Sequence, residues 1–288
     1  MATVGDPTTA HRTTGDRLPS WLARLLGTRR PLVMGVLNLT PDSFFDGGQF
    51  LDPDRAVAHA RAMVADGADI IDIGAESTRP YGGAVRVSAP EERRRLEPVL
   101  AAVCALGTPV SIDTMKAEVA SWALDRGAAM VNDVWGLQRD PDMAAVVAAH
   151  DTPVVIMHNR EAADPALDVM ADIEAFFARS LALAQRAAIV RERIVLDPGI
   201  GFGKTPEQSI TAIARLARLT SFGLPLLVGA SRKRFIDTLS PAPPDRRIGG
   251  SIAAHVLSVL NGAAILRVHD VAETVQALKV VDAIRGSA

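Results

Sequence analysis

Apolar residues along this chain come in short continuous runs, each closing on polar or charged residues. LVMGVLN ends at Asn38, and DIIDIGAEST runs through Gly74 to Thr78. PVSIDT closes on Asp113-Thr114, AMVNDV carries Asn132-Asp133, and PVVIMH ends at His158. RIVLDPG ends at Asp197, PLLVGASRK at Ser231–Lys233, and AILRVHD at Arg267–Asp270. Strands of a parallel sheet have this character because both their faces are buried. Stretches rich in Ala, Leu and Arg separate the runs. Asp52 before Pro53 opens a helix through 55–65 that Gly67 ends, and 115–126, 174–188 and 251–260 are further helices. Eight β units alternating with α units predict an α/β fold, the (β/α)8 or TIM barrel. One such barrel takes about 250 residues. The 288 residues therefore divide into a single barrel domain, 31–288, behind a short, partly disordered N-terminal extension, 1–30. The extension's apolar cluster, 21–26, is expected to form a turn or two of amphipathic helix over the closed end of the barrel.

Composition adds exclusions. Net charge is −2, so no global field favours a nucleic-acid partner. The cluster at 21–26 is too short and too charged for a signal segment or membrane span. A single cysteine, Cys104, rules out an intrachain disulfide and suits a cytoplasmic setting; beside Val103 it is expected on a buried helix face. The six histidines show no zinc-type spacing.

The stretch RIVLDPGIGFGKT shows where chemistry should lie. Pro198 stops the ladder after Asp197, and the glycines that follow bend the chain at a strand's C-terminal end, where such folds keep their active sites. Gly199 and Gly203-Lys204-Thr205 miss the P-loop spacing by one residue, and G-x-G-x-x-G is absent from this stretch. Asp113, Asn132 and Asp197 are hydrogen-bond acceptors at three strand ends. Converging on one mouth, they favour a ligand rich in N–H donors; singly, each also suits a structural polar group. Met157 and His158 fit a wall or floor. Arg232, Lys233 and Arg234 surround one strand-to-helix turn, and Arg267 and His269 follow the last strand, where these barrels often bind phosphate. Two long loops, 39–48 and 76–83, carry Phe44, Asp46 and Arg79 and end in Gly47-Gly48 and Gly82-Gly83. They suit closure over a ligand, and the phenylalanines equally suit packing on a neighbouring helix. The charged run Glu91–Arg95 is expected to be a solvated helix face.

Taken in order, NLTPDSFFDGG, GAESTRP, SIDT, VNDV, LDPGIGFGKT, GASRK and RVHDV closely resemble the dihydropteroate synthase family, from about residue 31 to 286. The resemblance implies a pterin-binding (β/α)8 barrel, usually a homodimer, in folate biosynthesis and a sulfonamide target. It implies a transferase that joins 6-hydroxymethyl-7,8-dihydropterin diphosphate to 4-aminobenzoate, releasing pyrophosphate, with Mg²⁺ present. Asp113, Asn132, Asp197 and Lys233 would then hold the pterin between Met157 and Phe202. Asn38, Arg267 and His269 would meet the diphosphate, with Asn38 also near the metal. Phe44, Thr78, Arg79 and Pro80 would frame the aminobenzoate, and Asp46, Arg79 and Lys233 would act in catalysis. Its partners are small molecules, not nucleic acid or membrane. The sequence departs from the family at Tyr81, where many members have Gly, and at Arg234, where a smaller residue is usual; both bear on the aminobenzoate side. A methyltetrahydrofolate-dependent methyltransferase would lack the paired loops, and a non-catalytic pterin-binding paralogue would have lost Asp46, Arg79 or Lys233.

Overall fold

The structure is a computed structural model, and it describes residues 20–28, 30–40, 45–46, 50–76 and 87–287. Eight parallel strands close into a barrel: β1 (Leu32–Asn38), β2 (Ile70–Gly74), β3 (Val110–Asp113), β4 (Met130–Asp133), β5 (Val154–Met157), β6 (Ile194–Asp197), β7 (Leu226–Val228) and β8 (Ala263–Val268). Each strand pairs with its neighbours in sequence, and β8 closes on β1 with Leu32 opposite Ile265 and Met34 opposite Arg267. Nearly every strand residue is buried, as their apolar runs require.

Helices α1 (Ser20–Leu26), α2 (Pro53–Ala65), α3 (Ala89–Cys104), α4 (Ala117–Leu124), α5 (Met143–Ala149), α6 (Val169–Arg186), α7 (Pro206–Ala214), α8 (Arg234–Leu239), α9 (Ile248–Leu260) and α10 (Val271–Gly286) accompany the strands. Their starts follow local chemistry. The Asp52 carboxylate accepts from Arg55 N, with Pro53 at the first position, as the sequence predicts. Helix α4 begins two residues later than expected, because Asp140, from beyond β4, accepts the Ala117 N–H and supplies its cap. Asp168 caps α6, which therefore starts earlier than 174.

Two apolar layers result. The larger lies between barrel and helices. A smaller one fills the barrel's lower interior with Met34, Ile70, Met130, Val195 and Ile265, and Trp21, Leu25 and Leu26 of α1 pack against it from below. The barrel is thus plugged at one end, and chemistry is confined to the C-terminal mouth. The run 91–95 departs from expectation. Glu91, Arg94 and Arg95 pair with one another at the surface, but Glu92 is fully buried beneath them. It accepts from Lys116 Nζ at 2.5 Å, which also donates to Glu76. Cys104 is half-buried at the end of α3, and burial pushes its thiol up.

Candidate active site

Above the apolar layer the inward-facing residues turn polar. Asp72 of β2, Asp113 of β3, Asn132 of β4 and Asp197 of β6 are buried and form a floor with the partly exposed Arg267 of β8. Arg267 donates from Nε to Asp72 Oδ2 at 2.6 Å and from Nη2 to Asp113 Oδ2 at 2.7 Å. Asn132 Nδ2 donates to the same Asp72 oxygen at 3.1 Å. Asp72 thus orients both the arginine and the amide. Sequence reasoning missed it, though an acid inside an otherwise apolar strand is a visible signal.

The network consumes donors and leaves acceptors. Asp113 Oδ1, Asn132 Oδ1 and Asp72 Oδ1 are buried without a hydrogen-bond partner among the described residues. Asp197 Oδ1 accepts from Gly199 N at 2.7 Å. Burial of the carboxyl, only partly offset by Lys233 and Arg267, raises Asp197 to about 6. Asp113 is also raised, by burial and by Asp72 and Glu92, against the pull of Arg267. Unpaired buried acceptors are costly, so their presence marks where a ligand's donors belong.

Asp113, Asn132 and Asp197 line one cleft with Met157, Phe202, Lys233 and Arg267. Met157 and Phe202 pack together with Val134 as an apolar wall. Lys233 Nζ sits 4.0 Å from the centre of the Phe202 ring, a cation–π contact. A roomier groove of about 850 Å³ lies on the flank between Arg139, Arg179 and Arg186. It is open to solvent, with Arg139 donating to Glu161 and Arg179 to Gln138, and it gathers no unpaired buried acceptors.

The expected cationic rim is smaller than the sequence suggests. Arg232 is committed to Asp270, to which it donates from Nε at 3.1 Å and again from Nη2. His269 accepts or donates at Nδ1 to Ser231 Oγ, 3.0 Å away, and burial beside Arg267 and Arg232 holds it down to about 3. It is a neutral polar group at pH 7. Arg267 belongs to the floor as much as to the rim, with Nη1 uncommitted among the described residues. Lys204 is not a phosphate ligand: it is buried under its own loop, and Thr205 caps α7 in a capping box with Gln208.

Asn38 ends β1, half-buried at the mouth. Phe44, Thr78, Arg79, Pro80 and Tyr81 lie outside the described residues, as do Gly47, Gly48, Gly82 and Gly83. For Asp46 only the backbone is described, in a two-residue strand paired with Phe50–Leu51. Among the described residues, no group of three or more His, Cys, Asp or Glu side chains is placed to hold a metal. No helix among them is long and apolar enough to cross a membrane.

Residues 34–269 match the family model described as pterin binding enzyme. The chain is 44% identical over 256 residues to the dihydropteroate synthase of Bacillus subtilis, covering 88% of this chain and 89% of that protein. It is 42% identical over 265 residues to the Escherichia coli K12 enzyme, covering 90% and 93%. Among solved structures, the Clostridium difficile dihydropteroate synthase determined with pteroic acid superimposes at a TM-score of 0.85 and 47% identity, over 89% of this chain and 97% of that one. The Xanthomonas albilineans enzyme with 4-aminobenzoic acid also gives 0.85, at 44% identity over 89% and 94%. A barrel mouth floored by unpaired acceptors and walled by Met157 and Phe202, in a chain matched nearly end to end by these enzymes, places it in the pterin-binding family: it belongs to the dihydropteroate synthases.

Proposed function

We propose that this mouth joins 6-hydroxymethyl-7,8-dihydropterin diphosphate to 4-aminobenzoate, giving 7,8-dihydropteroate and pyrophosphate. The observation that carries the reading is the set of partnerless acceptors, Asp113 Oδ1 and Asn132 Oδ1, beside Asp197 in one cleft. The aminopyrimidine edge of a pterin presents adjacent N–H donors, which such a floor complements and few other ligands would. The flat ring fits between Met157 and Phe202, and Lys233 supplies a donor to the ring's acceptor side. Arg267 Nη1, Asn38 and the neutral His269 would receive the diphosphate.

The reaction breaks the C–O bond between the pterin methylene and the diphosphate. The departing oxygen takes the electron pair, and the positive charge left on the methylene is shared with the dihydropterin ring. The amine nitrogen of 4-aminobenzoate then forms the C–N bond and sheds a proton. A neutral aromatic amine is a weak nucleophile, but a cationic carbon suffices for it, so no Ser or Cys nucleophile is needed. Asp46, on its loop, would shield the cationic carbon; Phe44, Thr78, Arg79 and Pro80 would frame the aminobenzoate and exclude water. Asn38 offers one neutral oxygen, the kind of sparse protein ligand Mg²⁺ accepts when water and phosphate oxygens complete its shell. Bound there, Mg²⁺ would offset the charge on the leaving diphosphate.

Homodimerisation is supported by exposed Leu257 and Leu260 on α9 and Val280 and Ile284 on α10, helices that pack together. A cytoplasmic setting is supported by the lone cysteine. No specific observation favours the methyltransferase or the non-catalytic paralogue. The decisive experiment is pyrophosphate release from the pterin diphosphate with and without 4-aminobenzoate. Release that requires both substrates and Mg²⁺ is expected; release indifferent to the amine, or none, refutes the reading.

A further inference from the structure

Lys204 is fully buried, yet no step above uses it. Its side chain doubles back beneath the loop 199–203. Nζ donates to the backbone oxygens of Gly199 at 2.9 Å and Phe202 at 3.1 Å, and meets His158 Nδ1 at 2.6 Å. Three acceptors match the three N–H bonds of an ammonium. Since His158 Nδ1 accepts, Nε2 carries the ring proton and donates to Asp172 Oδ2 at 2.9 Å, which Arg160 also holds at 3.0 Å. Burial and the Lys204 charge keep His158 from taking a second proton; burial likewise lowers Lys204, to about 7, against the pull of Asp197 and Asp172.

The loop has little room to settle otherwise. A Cβ on Gly199, at φ +65°, would lie 1.9 Å from the His158 carbonyl oxygen. One on Gly203, at φ +54°, would lie 2.6 Å from that of Arg160. The loop is therefore pressed against the end of β5, and Lys204 ties it down from inside. What it ties down is Phe202, whose ring faces Met157 in the cleft and carries Lys233 on its face.

We propose that Lys204 is a positioning residue for the pterin ring, acting through the backbone of Phe202 and braced by His158, Asp172 and Arg160. It sets the height of the Phe202 wall and, through the cation–π contact, the place of Lys233. This inference rests on the pterin pocket assigned above. The two residues it positions, Phe202 and Lys233, both line the pterin cleft.

The test measures pterin affinity, with a pterin lacking the diphosphate, alongside the Michaelis constants of both substrates in Lys204→Met. This near-isosteric change removes all three donors. Pterin binding should weaken about tenfold, the scale of one net hydrogen bond. The Michaelis constant for 4-aminobenzoate should stay within about twofold, since its loops lie on other strands. Equal losses for both substrates, or unchanged pterin affinity, overturn the proposal. If Lys204→Met does not fold, Asp172→Asn takes its place: weakening the brace at its outer, less buried end should give a smaller, same-sided loss of pterin affinity, and no loss overturns the proposal. Asp197→Asn is the control. If it weakens pterin while the Lys204 and Asp172 variants do not, this inference fails alone; if none of the three weakens it, the pocket assignment fails as well.

Discussion

Asp197→Asn should make the protein more stable and less able to bind pterin, for one electrostatic reason. The carboxyl is buried, and burial raises it from 3.8 to about 6. For an acid raised in the fold, the charged form is the disfavoured one. The cost begins as pH rises past the unfolded value near 3.8 and is complete above about 6. At about 1.4 kcal/mol per pH unit, that span is about 3 kcal/mol. Asn keeps an oxygen for the Gly199 N–H, 2.7 Å away in the wild type, and removes the buried charge. The variant should therefore gain up to about 3 kcal/mol at pH 8, at about 2–4 °C in Tm per kcal/mol. The gain should vanish near pH 4, where wild-type Asp197 is protonated. Pterin binding should move the other way. The ligand's donors lose a charged acceptor, about 1.5–3 kcal/mol or ten- to a hundredfold in affinity. They also meet an amide N–H where an oxygen stood. Differential scanning fluorimetry across pH 4–8 with titration calorimetry at pH 8 reads both effects. A variant that binds pterin like wild type, or one less stable than wild type at pH 8, would refute the reasoning.

Two further outcomes follow from the same geometry, and a third from the role proposed for Asp46. Arg267→Ala strands Asp72 and Asp113 in the floor and should destabilise by about 3–5 kcal/mol in urea unfolding; because Asp113 loses its anchor, it should weaken bare pterin as well as the diphosphate, and selective loss of the diphosphate alone would contradict the network. Lys116→Met leaves Glu76 and Glu92 buried without their shared cation; Glu76 also accepts from Val87 N, so the change should lower stability and raise the Michaelis constant for 4-aminobenzoate while sparing pterin affinity in calorimetry. Asp46→Ala should cut turnover about a hundredfold with pterin-product binding within about threefold, whereas lost thermal stability with intact turnover at low temperature would make Asp46 a turn residue only.

The barrel and its acceptors were legible in the chain because they are local. Each apolar run is one strand buried on both faces, so the runs at 32–38 and 194–197 were visible without neighbours. Strand ends put Asp113, Asn132 and Asp197 at one mouth once the count of units is known. The Asp52 cap depends on a residue only three positions on. Tertiary structure decided the rest, because burial and partnership are set between distant positions. Arg267 meets Asp72 across 195 residues and Asp113 across 154, which turned a rim cation into part of the floor. Glu92 looked solvated within a charged run until helix α3 packed it against Lys116. His269 has the composition of a cation, but its desolvated position leaves it neutral. In the sequence Lys204 stands only in a near-miss to the P-loop; the fold of loop 199–203 over β5 shows that it points inward. A sequence fixes which groups are available, while the dielectric around each group and the partner it meets exist only once the barrel has closed.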